Sequence, residues 1–89
     1  MRFEWDAANE AEVLKHRVTP AEAEEAYADV RAINRPAYDK DGERREATVG
    51  RSLQGRVLTV VYTRRGATIR VVTAYPTGGR LLREYLEDR

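Results

Sequence analysis

The sequence predicts an α+β fold in which a short N-terminal strand and two helices precede an antiparallel meander of three or four strands, closed by a C-terminal helix. Three observations predict it. Helix-start signals stand at Asp6 and Thr19, a stretch rich in Val, Thr, Ile and Tyr from Glu43 to Tyr75 is broken at Gly55 and Gly66, and apolar residues recur at helical spacing after Gly79.

Taken in order, Phe3 and Trp5 alternate with Glu4 as a short strand does, and their place beside a helix cap assigns them to the core rather than to base stacking. Asp6 is the expected N-cap of a helix over Ala7 to His16, with Ala7, Ala11 and Leu14 on its inner face and Glu10, Glu12 and Lys15 outward. Thr19, Pro20 and Glu22 form a capping box with proline at the first helical position, so a second helix starts there. Its inner face is Ala23, Ala26 and Tyr27, and its outer face is acidic. Arg31 to Asn34 reads as a strand that stops before Pro36, and Asp39 to Gly42 as a chain reversal. Strands follow over Glu43 to Ser52, Arg56 to Thr63 and Thr68 to Tyr75. Leu81, Leu82 and Tyr85 give the last helix its packed face.

An 89-residue chain has room for one domain, taken as residues 1–89, with a thin core. Hydrophobic residues make up 42% and charged residues 35%, short of the charge excess that keeps a chain disordered. No cysteine occurs, which excludes disulfides, thiolate nucleophiles and thiolate metal sites and fits a reducing compartment. His16 is the one histidine, so a multi-histidine metal site is excluded too. The N-terminus has no apolar run; neither secretion nor a membrane span is expected, and the expected location is cytoplasmic.

The net charge of +1 hides an uneven order. Met1 to Asp29 holds eight acids against Arg2, Lys15 and Arg17, whereas Val30 to Gly79 holds ten bases against four acids. Arginine dominates those bases, which favours planar, bidentate recognition of phosphate or carboxylate, although an arginine-preferring genome gives the same composition. The middle of the chain is therefore an arginine-rich surface suited to phosphate.

Phe3-Glu4-Trp5-Asp6, then His16-Arg17-Val18-Thr19-Pro20-Ala21-Glu22-Ala23, then Val49-Gly50-Arg51 leading to Val60-Val61-Tyr62-Thr63, and finally Arg70-Val71-Val72-Thr73-Ala74 together resemble the BrnT family. The similarity runs from Phe3 to Tyr85. It implies a compact ribonuclease toxin with a RelE-like fold, whose cleavage of RNA slows translation. It also implies a BrnA-like antitoxin protein that caps the toxin and binds the DNA of their shared operon, so that DNA is met only through the antitoxin. Three positions depart from the family: Arg17 replaces a glycine, Tyr75 replaces an arginine, and Leu81 and Leu82 replace an acidic-basic pair.

Metal-independent RNA cleavage needs a base for the 2′-OH proton, a cation for the phosphorane and an acid for the leaving 5′-oxygen. No cofactor is needed. His16 is the proton-transfer candidate, being the one residue of a type whose unperturbed pKa lies near neutrality and part of the family's lysine-histidine pair; capping of free helix carbonyls is its structural alternative. Arg45, Arg51 and Arg70 match basic residues of the family's sheet, and Arg45 and Arg51 share a strand face by parity. A solvated face with ion pairs to Glu43 or Glu46 is the alternative for them. Tyr75 is the candidate acid or phosphate ligand, or else a core or rim tyrosine. Parity sets it opposite Arg70 unless the strand is interrupted. Arg64 and Arg65 at a hairpin tip, with Arg51 and Arg80, make up the expected RNA-contacting set, the tip also serving simply as a charged turn. The exposed edge of the meander offers the antitoxin a docking place.

The reading that results is a ribonuclease toxin with RNA as substrate and an antitoxin as partner. Two others stand beside it: a toxin-like fold that has lost catalysis and serves as a partner-binding, operon-regulating module, suggested by Tyr75, Leu81 and Leu82, and a nucleic-acid-binding protein of other ancestry, against which the small net charge argues.

Overall fold

The structure is a computed structural model and describes residues 2–87. Its elements run β1 (Arg2–Glu4), α1 (Ala7–Lys15), α2 (Pro20–Tyr27), β2 (Ile33–Lys40), β3 (Glu43–Arg51), β4 (Val57–Arg65), β5 (Thr68–Pro76) and α3 (Gly79–Glu87). The strands form one five-stranded sheet in the order β1-β5-β4-β3-β2. β2 to β5 make the expected antiparallel meander. The N-terminal strand joins its far edge parallel to β5, with Phe3 opposite Ile69 and Glu4 opposite Arg70, so the sheet is mixed.

Both helix starts form as the sequence requires. Asp6 accepts from the backbone N–H groups of Ala8 and Asn9, and the Asn9 side chain returns a bond to the Asp6 N–H. Thr19 and Glu22 cap α2 reciprocally. Between the helices Val18 N–H bonds to Val13 O at 3.1 Å and Arg17 N–H to Leu14 O at 2.9 Å, a Schellman ending with Arg17 left-handed at φ 62°. Val13 and Val18, which that ending brings together, are both fully buried.

The face of α1 differs from the expectation. Ala7, Ala11 and Leu14 are exposed, and Asn9 and Val13 are the buried residues. The cause is the shortness of β1, which leaves the edge of β5 without a neighbour beyond Glu4. The Asn9 amide fills that gap by donating to Glu4 O at 2.9 Å and Val71 O at 3.0 Å. Apolar spacing does not register a buried amide that substitutes for a strand.

The acidic face of α2 is likewise engaged with the protein. Glu22 is buried and accepts from Arg56 Nη1 at 3.0 Å, Glu24 accepts from the Trp5 indole at 2.8 Å, and Glu25 accepts from Leu53 N–H at 3.0 Å. Burial pushes the Glu22 carboxyl up, but bonds from Thr19 and Arg56 outweigh it and hold it below its ordinary value. Beneath the helices, Val13, Val18, Ala23, Ala26, Leu58, Val60, Val71 and Ala74 form the core, with Phe3 and Trp5 packed against it. Tyr27 stands edge-on to both Phe3 and Tyr62, at centroid distances of 5.4 and 5.0 Å.

β2 begins two residues later than expected and runs through Pro36 instead of stopping before it. An edge strand tolerates a residue without an N–H, and the pairing with β3 shifts register between Pro36 and Asp39. The reversal to β3 uses Asp41 and Gly42, both at positive φ, as a two-residue hairpin requires. The last helix packs beside β3: Tyr85 is buried, its hydroxyl donates to Asp29, and Glu84 pairs with Arg35.

Candidate functional site

Cross-strand register sorts the sheet into two faces. Leu58, Val60 and Tyr62 of β4 point toward α1 and α2, so Thr59, Val61 and Thr63 point away. On β5 the pairing slips between Val61 and Tyr62: Val61 is opposite Thr73, whereas Tyr62 is opposite Val71, and Val72 is the extra residue. This bulge reverses the parity of the strand. Arg70, opposite Thr63, and Tyr75, opposite Thr59, come to lie on the same face, together with Thr73. The interruption that lets Arg70 and Tyr75 share a face is therefore internal to the strand, several residues before Pro76.

On that face lies a hollow of about 380 Å³. Arg45 from β3, Arg65 from the end of β4 and Arg70 from β5 line it, with Glu12 of α1, Thr63 and Thr73. Arg70 Nη1 is 3.0 Å from Asp6 Oδ2 and 3.4 Å from Glu4 Oε1, while Arg65 reaches Glu4 at 3.3 Å and Glu43 at 3.2 Å. The guanidinium of Arg70 holds the Asp6 carboxyl below its ordinary value, and Asp6 in turn pushes the Arg70 pKa up, so both stay charged. Arg45 differs. It makes no ion pair among the described residues, lies over the Tyr38 ring at 5.6 Å, and leaves a buried Nε–H without an acceptor.

At the rim of the hollow Glu12 gathers three partners. Thr73 Oγ1 donates to Glu12 Oε2 at 2.8 Å, Lys15 Nζ lies 3.0 Å from Oε1, and His16 Nε2 lies 3.2 Å from Oε2. Bonds from Lys15, Thr73 and His16 hold the Glu12 carboxyl at about 2. The His16 ring then meets the Tyr75 ring edge-on at 5.9 Å. A carboxylate on the Nε2 side leaves Nδ1 as the acceptor of a neutral ring.

A family model described as the ribonuclease toxin BrnT of type II toxin-antitoxin systems matches residues 5–78. The chain belongs to the BrnT family. It is thus a member of a ribonuclease toxin family, and a type II system implies an antitoxin partner. No curated protein matches the chain. The match to BrnT ends at Gly78, before α3, so it is shorter than the resemblance from Phe3 to Tyr85, and Arg80, Leu81, Leu82 and Tyr85 lie outside it.

In this BrnT chain the structure brings Arg45, Arg65 and Arg70 together and sets His16 beside Tyr75, with Glu12 and Thr73 joining the two groups. It separates the other basic candidates from them. Arg51 shares the face of Arg45 by parity, but six residues along β3 carry it roughly 20 Å away at about 3.3 Å per residue, to a position over the Tyr85 ring. Arg64 points to the helix-covered face, where it pairs with Glu46 at 3.1 Å over the Tyr62 ring. Arg80 is exposed in the first turn of α3. Glu12 and Thr73 were not anticipated as site residues. The Glu12–His16 spacing of i, i+4 on one helix was the available signal for Glu12, whereas Thr73 depends on the bulge and left no trace in the sequence. Among the described residues no group of three or more His, Asp or Glu is placed to hold a metal ion, and no helix is long and apolar enough to cross a membrane.

Proposed function

We propose that this BrnT chain is a metal-independent endoribonuclease whose RNA phosphate binds in the hollow between Arg45, Arg65 and Arg70. The observation that carries the reading is the convergence of three arginines from neighbouring strands on one hollow, one of them, Arg45, with an unsatisfied N–H and no ion pair among the described residues. His16 Nδ1 takes the 2′-OH proton, and the 2′-oxygen attacks the phosphorus. Arg45 and Arg70 hold the charge that builds on the phosphorane oxygens. Tyr75 donates its phenolic proton to the departing 5′-oxygen, leaving a 2′,3′-cyclic phosphate and a 5′-hydroxyl. Glu12, itself fixed by Thr73, orients His16. Arg65 tracks the flanking backbone.

Cutting RNA in the cytoplasm slows translation, and a BrnA-like antitoxin holds the toxin inactive and mediates its only contact with DNA. The order of one strand, two helices, a meander and a final helix supports a RelE-like arrangement.

The test is purified chain, freed of antitoxin, incubated with RNA with and without chelator. Cleavage is expected in both, falling about 100- to 1000-fold in Arg45→Ala and Arg70→Ala and about 100-fold or more in His16→Ala and Tyr75→Phe. A folded chain that binds antitoxin and leaves RNA intact sinks the nuclease reading. That result favours a catalytically degenerate regulatory module, a reading to which the neutralisation of Arg65 and Arg70 by Glu4, Asp6 and Glu43 lends support.

A further inference from the structure

A second hollow, of about 420 Å³, lies at the opposite end of β3 and is lined by Arg31, Arg51, Ser52, Leu53, Tyr85 and Leu86, with Asp29 beneath them. Two aliphatic side chains stand exposed on its rim. Leu53 is 86% exposed and Leu86 47%. They are two of the six large apolar or aromatic side chains that are exposed among the described residues. Scattered exposed leucines need no explanation, but a pair facing one concavity beside an aromatic ring marks a surface suited to an apolar partner.

Leu53 is not held out by a loose turn. Ser52 N–H bonds to Arg56 O at 2.8 Å, Gly55 N–H to Ser52 O at 2.9 Å, and Leu53 N–H to the Glu25 carboxylate at 3.0 Å. The turn presents the side chain to solvent in one pinned conformation, which lowers the ordering cost of binding. The floor is equally fixed. Asp29 accepts from the backbone N–H groups of Arg31 and Arg51, at 2.9 and 2.8 Å, and from the Tyr85 hydroxyl. Its carboxylate is thereby held within the protein, while Arg51 lies on the Tyr85 ring and makes no side-chain ion pair among the described residues. The rim is aliphatic with a guanidinium beside it.

We infer that this hollow docks a segment of the protein antitoxin carrying aliphatic side chains next to carboxylates. Leucines offer nothing to a phosphodiester, so the chemistry selects a peptide over RNA, and Arg51 selects its acidic residues. Tyr85 and Leu86 come from α3, beyond the residues that match the family, so this wall of the site is suited to recognising the toxin's own antitoxin. The inference rests on the antitoxin partnership and not on the nuclease chemistry, which occupies the other end of the sheet.

Calorimetric titration of the purified chain with its cognate antitoxin tests it. Leu53→Asp is expected to raise Kd at least about tenfold, and Leu86→Asp and Arg51→Glu in the same direction. Leu53→Asp keeps wild-type RNA cleavage while needing correspondingly more antitoxin for half-inhibition. Unchanged Kd in all three variants overturns the proposal. So does a wild-type dimer in sedimentation that Leu53→Asp dissociates, which assigns the surface to a second copy, or weakened RNA binding in Arg51→Glu with antitoxin affinity intact. Because the titration reads docking without catalysis, absence of RNA cleavage leaves its result standing.

Discussion

Glu12 Oε2 accepts a 2.8 Å hydrogen bond from Thr73, which fastens the last turn of α1 to the bulged segment of β5 and fixes the carboxylate that faces His16. The same carboxylate makes the fold acid-sensitive in a defined window. Its pKa falls from an ordinary 4.5 to about 2, first through Lys15 and then through Thr73 and His16. A group depressed in the folded state contributes stability that is complete above its unfolded pKa and is lost as pH falls through the folded one. Wild-type urea midpoints should therefore decline as pH drops from about 4.5 toward 2. Glu12→Gln should make that decline shallower without abolishing it, since Asp6 is depressed in the same direction by Arg70. Parallel declines in the two proteins would contradict the role given to Glu12.

Arg17 occupies the left-handed position that ends α1, at φ 62°, where a side chain with a Cβ costs roughly 1–2 kcal/mol. Glycine removes that cost but adds flexibility to the unfolded chain, worth about 0.5–1 kcal/mol. Arg17→Gly should stabilise the protein by about 0.5–1 kcal/mol and raise Tm by several degrees in a domain of this size. Thermal unfolding followed by circular dichroism reads the shift; a lower Tm would mean that the Arg17 side chain stabilises the turn in some other way.

Gly50 lies directly under α2. A Cβ at this position would stand 2.0 Å from the Ala26 carbonyl oxygen, a backbone atom that cannot swing aside. Gly50→Ala should cost at least about 3 kcal/mol, the upper range for overpacking, because the α2 terminus must lift off β3. Chemical denaturation checks the loss, and an effect below about 1 kcal/mol would show that the helix end shifts freely.

Local signals carried much of the architecture. Asp6, Thr19 and Pro20 mark their helix starts through side chains that act within three residues, and Gly42 and Gly66 mark turns through their own φ. Richness in Val, Thr, Ile and Tyr between the breaks at Gly55 and Gly66 identified β3 to β5, and Leu81, Leu82 and Tyr85 identified the closing helix. The arginine content of the middle of the chain was likewise legible, as was the resemblance that the match over residues 5–78 bears out.

The sequence by itself determined the elements, their order and the family, because caps, turns and apolar periods are decided within a few residues. Tertiary structure decided what meets what: Asn9 buried in place of Ala7, Ala11 and Leu14, the strand running through Pro36, the parallel pairing of β1, and the bulge that turns Arg70 and Tyr75 to one face. The physical reason is that these depend on partners distant in sequence. Which arginines share a hollow follows from sheet register, and one extra residue such as Val72 reverses every side chain beyond it.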